Sequence, residues 1–313
     1  MSRHHHRRSG GTPAQADNRR LLEYLEEFQS LSANSDLKSF YQTFCNNLDL
    51  QQSALRVLQK TSNEVEDTGD DRDTIQTLCQ FLLKMLRSTF SQRVSTKTTF
   101  IPTSTANDMI KTRIAVLQFV PHFIHLYLIK RASGVKSNYK FIDAFLLSVY
   151  NAEASELQSF RMIASGSNTN TVPSNPLIRP QVIKVPPLAS SSTYHDSGRL
   201  ESEDKLDQRP SGLTFHFEHW GFMDNLTASS RPKVFKLLLQ TFNRHIVDMQ
   251  KYSLEFFTRG TVKLLERGYG HQSSTCRRIQ MDQPVLLELL FGAYVCMYNG
   301  FQVINTIYKH KVT

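Results

Sequence analysis

Two pairs of histidines, each with members three residues apart, are the residues best spaced to bind a metal ion in this sequence. His122 and His125 lie in an apolar stretch, and His216 and His219 belong to the segment HFEHW, with Glu218 between them. On one face of a helix, this spacing points both imidazoles in the same direction. A metal-dependent enzyme built on His216 and His219 is therefore one hypothesis. We predict structural histidines and no metal site, because two imidazoles without further ligands hold zinc poorly.

The motifs of the common catalytic and nucleotide-binding sites are missing from the sequence. The chain has no phosphate-binding glycine loop, no nucleophile elbow, no zinc-protease HExxH helix and no kinase loop set. Its cysteines, Cys45, Cys79, Cys276 and Cys296, form no CxxC pair, and we expect buried free thiols in a reducing cytosol. We therefore predict a protein that is not an enzyme and uses neither a cofactor nor a small-molecule substrate.

Basic charge is concentrated at the amino terminus. The 313-residue chain has 37 Lys and Arg against 28 Asp and Glu, a net charge of +9. Residues 1–20 are predicted to form a disordered basic tail, in which Arg7, Arg8, Arg19 and Arg20 are candidates for contact with a membrane. A basic residue near an anionic bilayer contributes about 1 kcal/mol. The alternative function is therefore a basic peripheral protein that binds anionic membrane surfaces directly. The rest of the chain lacks the dense basic stripe with interleaved aromatic residues of nucleic-acid modules, so we expect no nucleic-acid partner.

Apolar residues at helical spacing dominate the rest of the chain. Leu22, Leu25 and Phe28 belong to an amphipathic first helix, and we select them as candidate partner contacts because a terminal helix can dock outward as well as inward. The longest apolar stretch, 114–129, has 16 residues. A membrane-spanning helix needs roughly 20. We predict instead a buried helix that is kinked or broken at Pro121.

The stretch 164–212 differs from the helical segments on either side, because it holds six of the 11 prolines and a run of serines. We predict an extended or disordered insertion there. The predicted fold class is all-α, an irregular multi-helix domain with this long Pro/Ser-rich insertion between two helical halves. The halves are 21–163 and 213–313, with the second packing on the first. Asn151 and Asn299 are expected to end helices.

The order of several helical segments carries a family resemblance. LQFVPHFIHLYL and FIDAFLLSVYNAE lie within residues 117–153, LLEYLEEFQSL precedes them, and NLTASSRPKVFKLLLQTFN, ERGYG and LLFGAYVCMYNG follow. In this order and spacing they resemble the hyccin family, over about residues 21–305. No single segment is catalytic or diagnostic, so the specificity comes from the set.

The resemblance implies a non-catalytic adaptor or scaffold subunit of a phosphatidylinositol 4-kinase complex. Hyccin-like proteins bind a tetratricopeptide-repeat subunit, and the pair supports phosphatidylinositol 4-kinase alpha at the plasma membrane. The implied location is the cytoplasm, with indirect recruitment to the plasma membrane through a separate anchor subunit. The implied role is to support kinase stability and localisation, and hence phosphatidylinositol 4-phosphate synthesis.

Overall fold

The structure is a computed structural model that describes residues 13–31, 37–63, 69–95, 103–132, 139–164, 182–185, 213–216, 220–267 and 281–299. Its first seven helices are α1 (Pro13–Ser30), α2 (Leu37–Asn46), α3 (Leu48–Asn63), α4 (Gly69–Ser95), α5 (Thr103–Leu117), α6 (Val120–Ala132) and α7 (Lys140–Ala164). Strands β1 (Val182–Val185) and β2 (Leu213–His216) follow, and then α8 (Arg231–Arg244), a 3-10 helix (Ile246–Asp248), α9 (Lys251–Arg267) and α10 (Gln283–Tyr298). The all-α fold class is confirmed, because strands in the described residues amount to these two four-residue segments.

The chain divides into two compact units. One unit contains Met1–Ala154 together with Met223–Thr313, so it holds helices from both ends of the sequence. Within it, α9 packs against α3, α6 and α10, and α8 packs against α6 and α10. The other unit, Ser155–Phe222, contains an antiparallel ribbon in which Val182 pairs with His216. Most of the predicted insertion lies outside the described residues, and its boundaries stay a prediction.

Helix α1 starts earlier than the sequence predicts. It begins at Pro13, inside the segment that we expected to be a disordered tail. Proline suits the first turn of a helix, because the backbone N–H that it lacks would have no partner there. The expectation of disorder is therefore wrong for residues 13–20, and residues 1–12 lie outside the described part of the chain.

The long apolar stretch forms two helices, as its proline predicts. Helix α5 ends at Leu117 and α6 begins at Val120, directly before Pro121. By length and composition alone, Asn107–Ala132 could cross a membrane, but 72% of its most apolar 18-residue window is buried inside the protein. Burial on this scale is typical of a core helix, which is apolar on nearly all sides.

The two asparagines that we expected to end helices behave differently. Asn299 does close α10, and its side-chain Nδ2 donates a hydrogen bond of 2.9 Å to the carbonyl oxygen of Val295. Its φ is −79°, so the cap does not use a left-handed conformation. The expectation for Asn151 is wrong, because α7 continues to Ala164. Asn151 instead donates a 2.9 Å hydrogen bond to the carbonyl oxygen of Met223 and accepts one of 2.9 Å from its N–H.

A buried polar centre joins helices that are far apart in sequence. The Oε1 atom of Gln51 in α3 accepts hydrogen bonds of 2.6 Å from the Nε2 atoms of Gln118 and Gln250. The Nε2 atom of Gln51 donates to the carbonyl oxygens of Phe44 (2.7 Å) and Cys45 (3.0 Å) at the end of α2. Gln51 and Gln118 are each 1% exposed. Buried amides are costly unless they are bonded, so this network favours one arrangement of α2, α3, α9 and the α5–α6 junction.

Candidate partner-binding surface

Helix α10 is apolar on two faces. Glu288 is its only charged residue. Val285, Leu289, Gly292 and Cys296 lie on one face and are buried against the body of the protein. A surface helix that packs on the protein with one face typically has a polar face on the other side. The apolar residues on the opposite side of α10 therefore require a separate explanation.

The buried face is held by polar contacts and a close approach. Glu288 accepts hydrogen bonds from Gln240 Nε2 (2.8 Å, to Oε1) and Asn243 Nδ2 (3.1 Å, to Oε2). Asn243 Nδ2 also donates to the carbonyl oxygen of Glu288 at 2.9 Å. A Cβ at Gly292 would stand 2.4 Å from Asn243 Oδ1 and 2.9 Å from Phe257 Cζ. These contacts fix the rotation of α10, and therefore which of its residues face outward.

The outward face of α10 carries six large apolar side chains, which we call the apolar stripe. Its members are Leu287, Leu290, Phe291, Tyr294, Met297 and Tyr298, with exposed fractions between 40% and 82%. Their spacing of three, four, seven, ten and eleven residues from the first places them on one side of the helix. The rings of Tyr294 and Tyr298 stack with centroids 6.5 Å apart.

Exposed apolar residues that are scattered singly need no explanation, but a contiguous set on one helix face is typical of a binding surface. Aromatic residues and methionine are also the types enriched where proteins contact each other. The arrangement can bury a helix face in a groove of a partner. Sequence reasoning identified the helix but missed this surface. The signal for this surface in the sequence was that α10 is apolar on all sides, more than a helix with one buried face requires.

The predicted partner contacts of α1 lie in different environments. Leu22 is 40% exposed, whereas Leu25 and Phe28 are only 2% and 3% exposed. Phe28 packs edge-to-face on the buried ring of Phe81, with centroids 5.0 Å apart. Helix α1 packs against α3 and α4. Leu25 and Phe28 lie on the side of α1 that faces inward. Leu25 and Phe28 belong to the core. Of the three predicted contacts, Leu22 alone is exposed at the surface.

The predicted membrane contacts are only partly described. Arg19 and Arg20 are exposed on α1, while Arg7 and Arg8 lie outside the described residues. Arg19 Nε is 2.9 Å from Glu23 Oε1, one turn further along the helix. Exposed pairs of this kind contribute little to stability, so Arg19 stays accessible to a charged surface.

The structure describes both histidines of the first pair but only His216 of the second. The described part of the chain contains no group of three or more His, Cys, Asp or Glu residues able to hold an ion. His216 ends strand β2 rather than lying on a helix, and His219 is outside the described residues. His122 is buried, and burial, with a smaller effect of His125, lowers its pKa from 6.5 to about 3.

The hydrogen bonds around His122 define its role as structural. Ser253 Oγ donates a hydrogen bond of 3.0 Å to the carbonyl oxygen of Gln118. The same Ser253 Oγ can accept a hydrogen bond from His122 Nε2, which lies 3.4 Å away. The ring of His122 also meets Phe256 edge-on. A cavity of about 20 Å³ beside these residues has room for about one water molecule.

A largely buried ion pair connects two helices. Arg113 of α5 and Glu153 of α7 pair through two contacts, Nε to Oε1 at 3.0 Å and Nη2 to Oε2. The side chain of Glu153 is 2% exposed and that of Arg113 is 18% exposed. Removing one partner of such a pair is costly because the other charge stays buried. The pair therefore joins two helices of the core.

A comparison with protein families matches this chain to one family model. The model is described as Hyccin, and it matches residues 106–308. The match covers more than half of the chain and includes most of α5 and the whole of α6, α7, α8, α9 and α10. It therefore contains the apolar stripe and both partners of the Arg113–Glu153 pair.

Proposed function

Because the chain belongs to the Hyccin family, we propose that it is an adaptor subunit of a phosphatidylinositol 4-kinase complex. The Hyccin family is in general a non-catalytic adaptor family. In the proposed complex, the chain binds a tetratricopeptide-repeat subunit and stabilises phosphatidylinositol 4-kinase alpha. It helps to bring the kinase from the cytoplasm to the plasma membrane, where the kinase makes phosphatidylinositol 4-phosphate.

The apolar stripe is the observation that carries this proposal. A helix with anchors three, four and seven residues apart fits an apolar groove on a helical partner. Stacked helical repeats provide extended concave surfaces of that kind. No charged residue interrupts the stripe, since the one charge of α10, Glu288, is bonded to Gln240 and Asn243. A partner therefore loses little free energy to charge desolvation when it covers this face.

Co-purification from cells tests the proposal. A tagged full chain should recover the tetratricopeptide-repeat subunit and the kinase in stoichiometric amounts. The double variant L290S/Y294S removes two exposed stripe residues and should recover neither. The control L48S/I110S removes two side chains that are 54% and 46% exposed on α3 and α5, and it should behave as wild type. A wild-type chain that recovers neither protein, or loss of recovery in both variants, would refute the proposal.

A direct membrane contact is the second candidate function. The observation that favours it is the exposure of Arg19 and Arg20 on α1. In the sequence, Arg7 and Arg8 precede them. Binding to vesicles should then require anionic lipid, weaken with added salt, and fall when Arg7, Arg8, Arg19 and Arg20 are changed to Ala. Binding that ignores salt, or no binding at all, would exclude this function.

A further inference from the structure

The apolar stripe repeats at intervals of seven residues. Its six members form three pairs with this separation: Leu287 with Tyr294, Leu290 with Met297, and Phe291 with Tyr298. A seven-residue apolar repeat is the pattern with which one helix packs along another. In the described part of the chain, α10 packs against α8, α9 and the 3-10 helix. The stripe therefore has the form of a second helix-packing surface, and its side chains are exposed.

We propose that two copies of the free chain pair through the apolar stripe, with the two α10 helices antiparallel across a two-fold axis. An axis through the middle of the stripe places Leu287 of each copy beside Tyr298 of the other, and Phe291 beside Tyr294. The pairing concerns this chain alone. Its consequence, that self-association competes with the tetratricopeptide-repeat subunit for one surface, rests on the proposed function.

The area of the stripe is sufficient for a dimer. Large side chains have surfaces of about 150–250 Å². At exposed fractions of 40–82%, the six stripe residues together present roughly 700 Å². Two copies would bury roughly 1,400 Å², within the range of about 1,200–2,000 Å² for specific interfaces. Because this value lies in the lower half of that range, we expect a dissociation constant of about 10–100 μM.

The absence of charge from the stripe suits pairing with an identical surface. Across a two-fold axis, a charge near the axis would face a copy of itself and be repelled. Glu288 is the only charged residue of α10, and it is bonded to Gln240 and Asn243. These bonds and the close approach at Gly292 also fix the orientation of the stripe before association. Less conformational freedom is therefore lost when two copies meet.

Sedimentation equilibrium of the purified full chain tests the pairing without a partner. Between about 1 and 200 μM, the mean mass should rise from that of one 36.0 kDa chain toward twice that value. The variant L290S/Y294S should stay monomeric over this range, and the control L48S/I110S should associate as wild type does. A wild-type chain that is monomeric at the highest concentration would overturn the proposal. Equal association of wild type and L290S/Y294S would do so as well.

A charge swap at Tyr294 tests the two-fold arrangement. Tyr294 lies close to the middle of the stripe, so Y294E or Y294K alone brings like charges together and should associate at least about tenfold more weakly than wild type. An equimolar mixture of the two should associate at least about tenfold more tightly than either alone, because opposite charges then meet. The control pair I110E and I110K changes an exposed residue of α5 and should show neither effect. A mixture no tighter than its components would contradict the two-fold pairing.

Competition tests the consequence for the proposed function. Adding the purified tetratricopeptide-repeat subunit should convert the dimer into a one-to-one complex, because both occupants need the same face. A complex that contains two copies of this chain would overturn the competition. If the chain dimerises but does not bind that subunit, the proposed function fails and the pairing stands. If it binds the subunit but never dimerises, the pairing fails and the proposed function stands.

Discussion

At Gly292, α10 lies too close to its neighbours to leave room for a Cβ atom. Because a Cβ there would lie 2.4 Å from Asn243 Oδ1, G292A should lower the free energy of unfolding by about 1–3 kcal/mol through overpacking. Gly260 in α9 is the matched control, since its Cβ would be 3.7 Å from the nearest atom, of His125. G260A should be neutral or stabilising by up to about 1 kcal/mol, because alanine favours helix. Urea unfolding of both variants measures the difference, and equal effects would contradict the close approach.

His122 should make stability depend on pH. Its pKa in the folded protein is lowered to about 3, against 6.5 for an exposed histidine, so the unfolded state binds more protons between these values. Stability from this group is complete above pH 6.5 and falls by up to about 1.4 kcal/mol per pH unit as the pH decreases toward 3. The H122Q variant should therefore show a shallower decline between pH 6.5 and 4 in urea unfolding. Parallel curves for the two proteins would show that His122 is not buried in its neutral form.

At the scale of elements, α7 fixes the chain that leads into α8. Asn151 bonds both backbone polar groups of Met223, so N151A should leave an N–H and a carbonyl without these partners. Amides of residues 222–226 should then exchange at least about tenfold faster, which corresponds to about 1.4 kcal/mol of local stability. The control N299A removes an exposed asparagine whose Nδ2 donates to the carbonyl oxygen of Val295 in its own helix. Unchanged exchange in N151A would show that Asn151 does not hold this segment.

Local signals predicted some elements well and others poorly. Pro121 predicted the break between α5 and α6 because proline acts on its own turn, whatever surrounds it. The prediction for Asn151 is wrong because an asparagine side chain can either cap a helix or bond a distant backbone segment. Only the packing of α7 decides which of these two roles it takes. Leu22 and Leu25 have the same residue type in one helix, yet only Leu25 is buried. The angle at which α1 packs against α3 and α4 determines which of the two leucines is buried. The local sequence of α1 does not specify that angle.

At the scale of the molecule, composition predicted the fold class but not the apolar stripe. Apolar residues at helical spacing fill the core and the apolar stripe alike, so sequence periodicity does not separate the two. Their separation follows from which face of α10 the contacts at Glu288 and Gly292 hold inward. The ordered segments between 117 and 300 predicted the family, and the match over residues 106–308 confirms it.

The most direct test of the account is the equilibrium affinity of the purified full chain for the purified tetratricopeptide-repeat subunit. We predict a one-to-one complex whose dissociation constant rises at least about 100-fold in L290S/Y294S, since each lost anchor contributes about 1–2 kcal/mol. The melting temperature of that variant should match the wild type, because both side chains are exposed. A wild-type chain that does not bind, or a stripe variant that binds as tightly as wild type, would contradict the account.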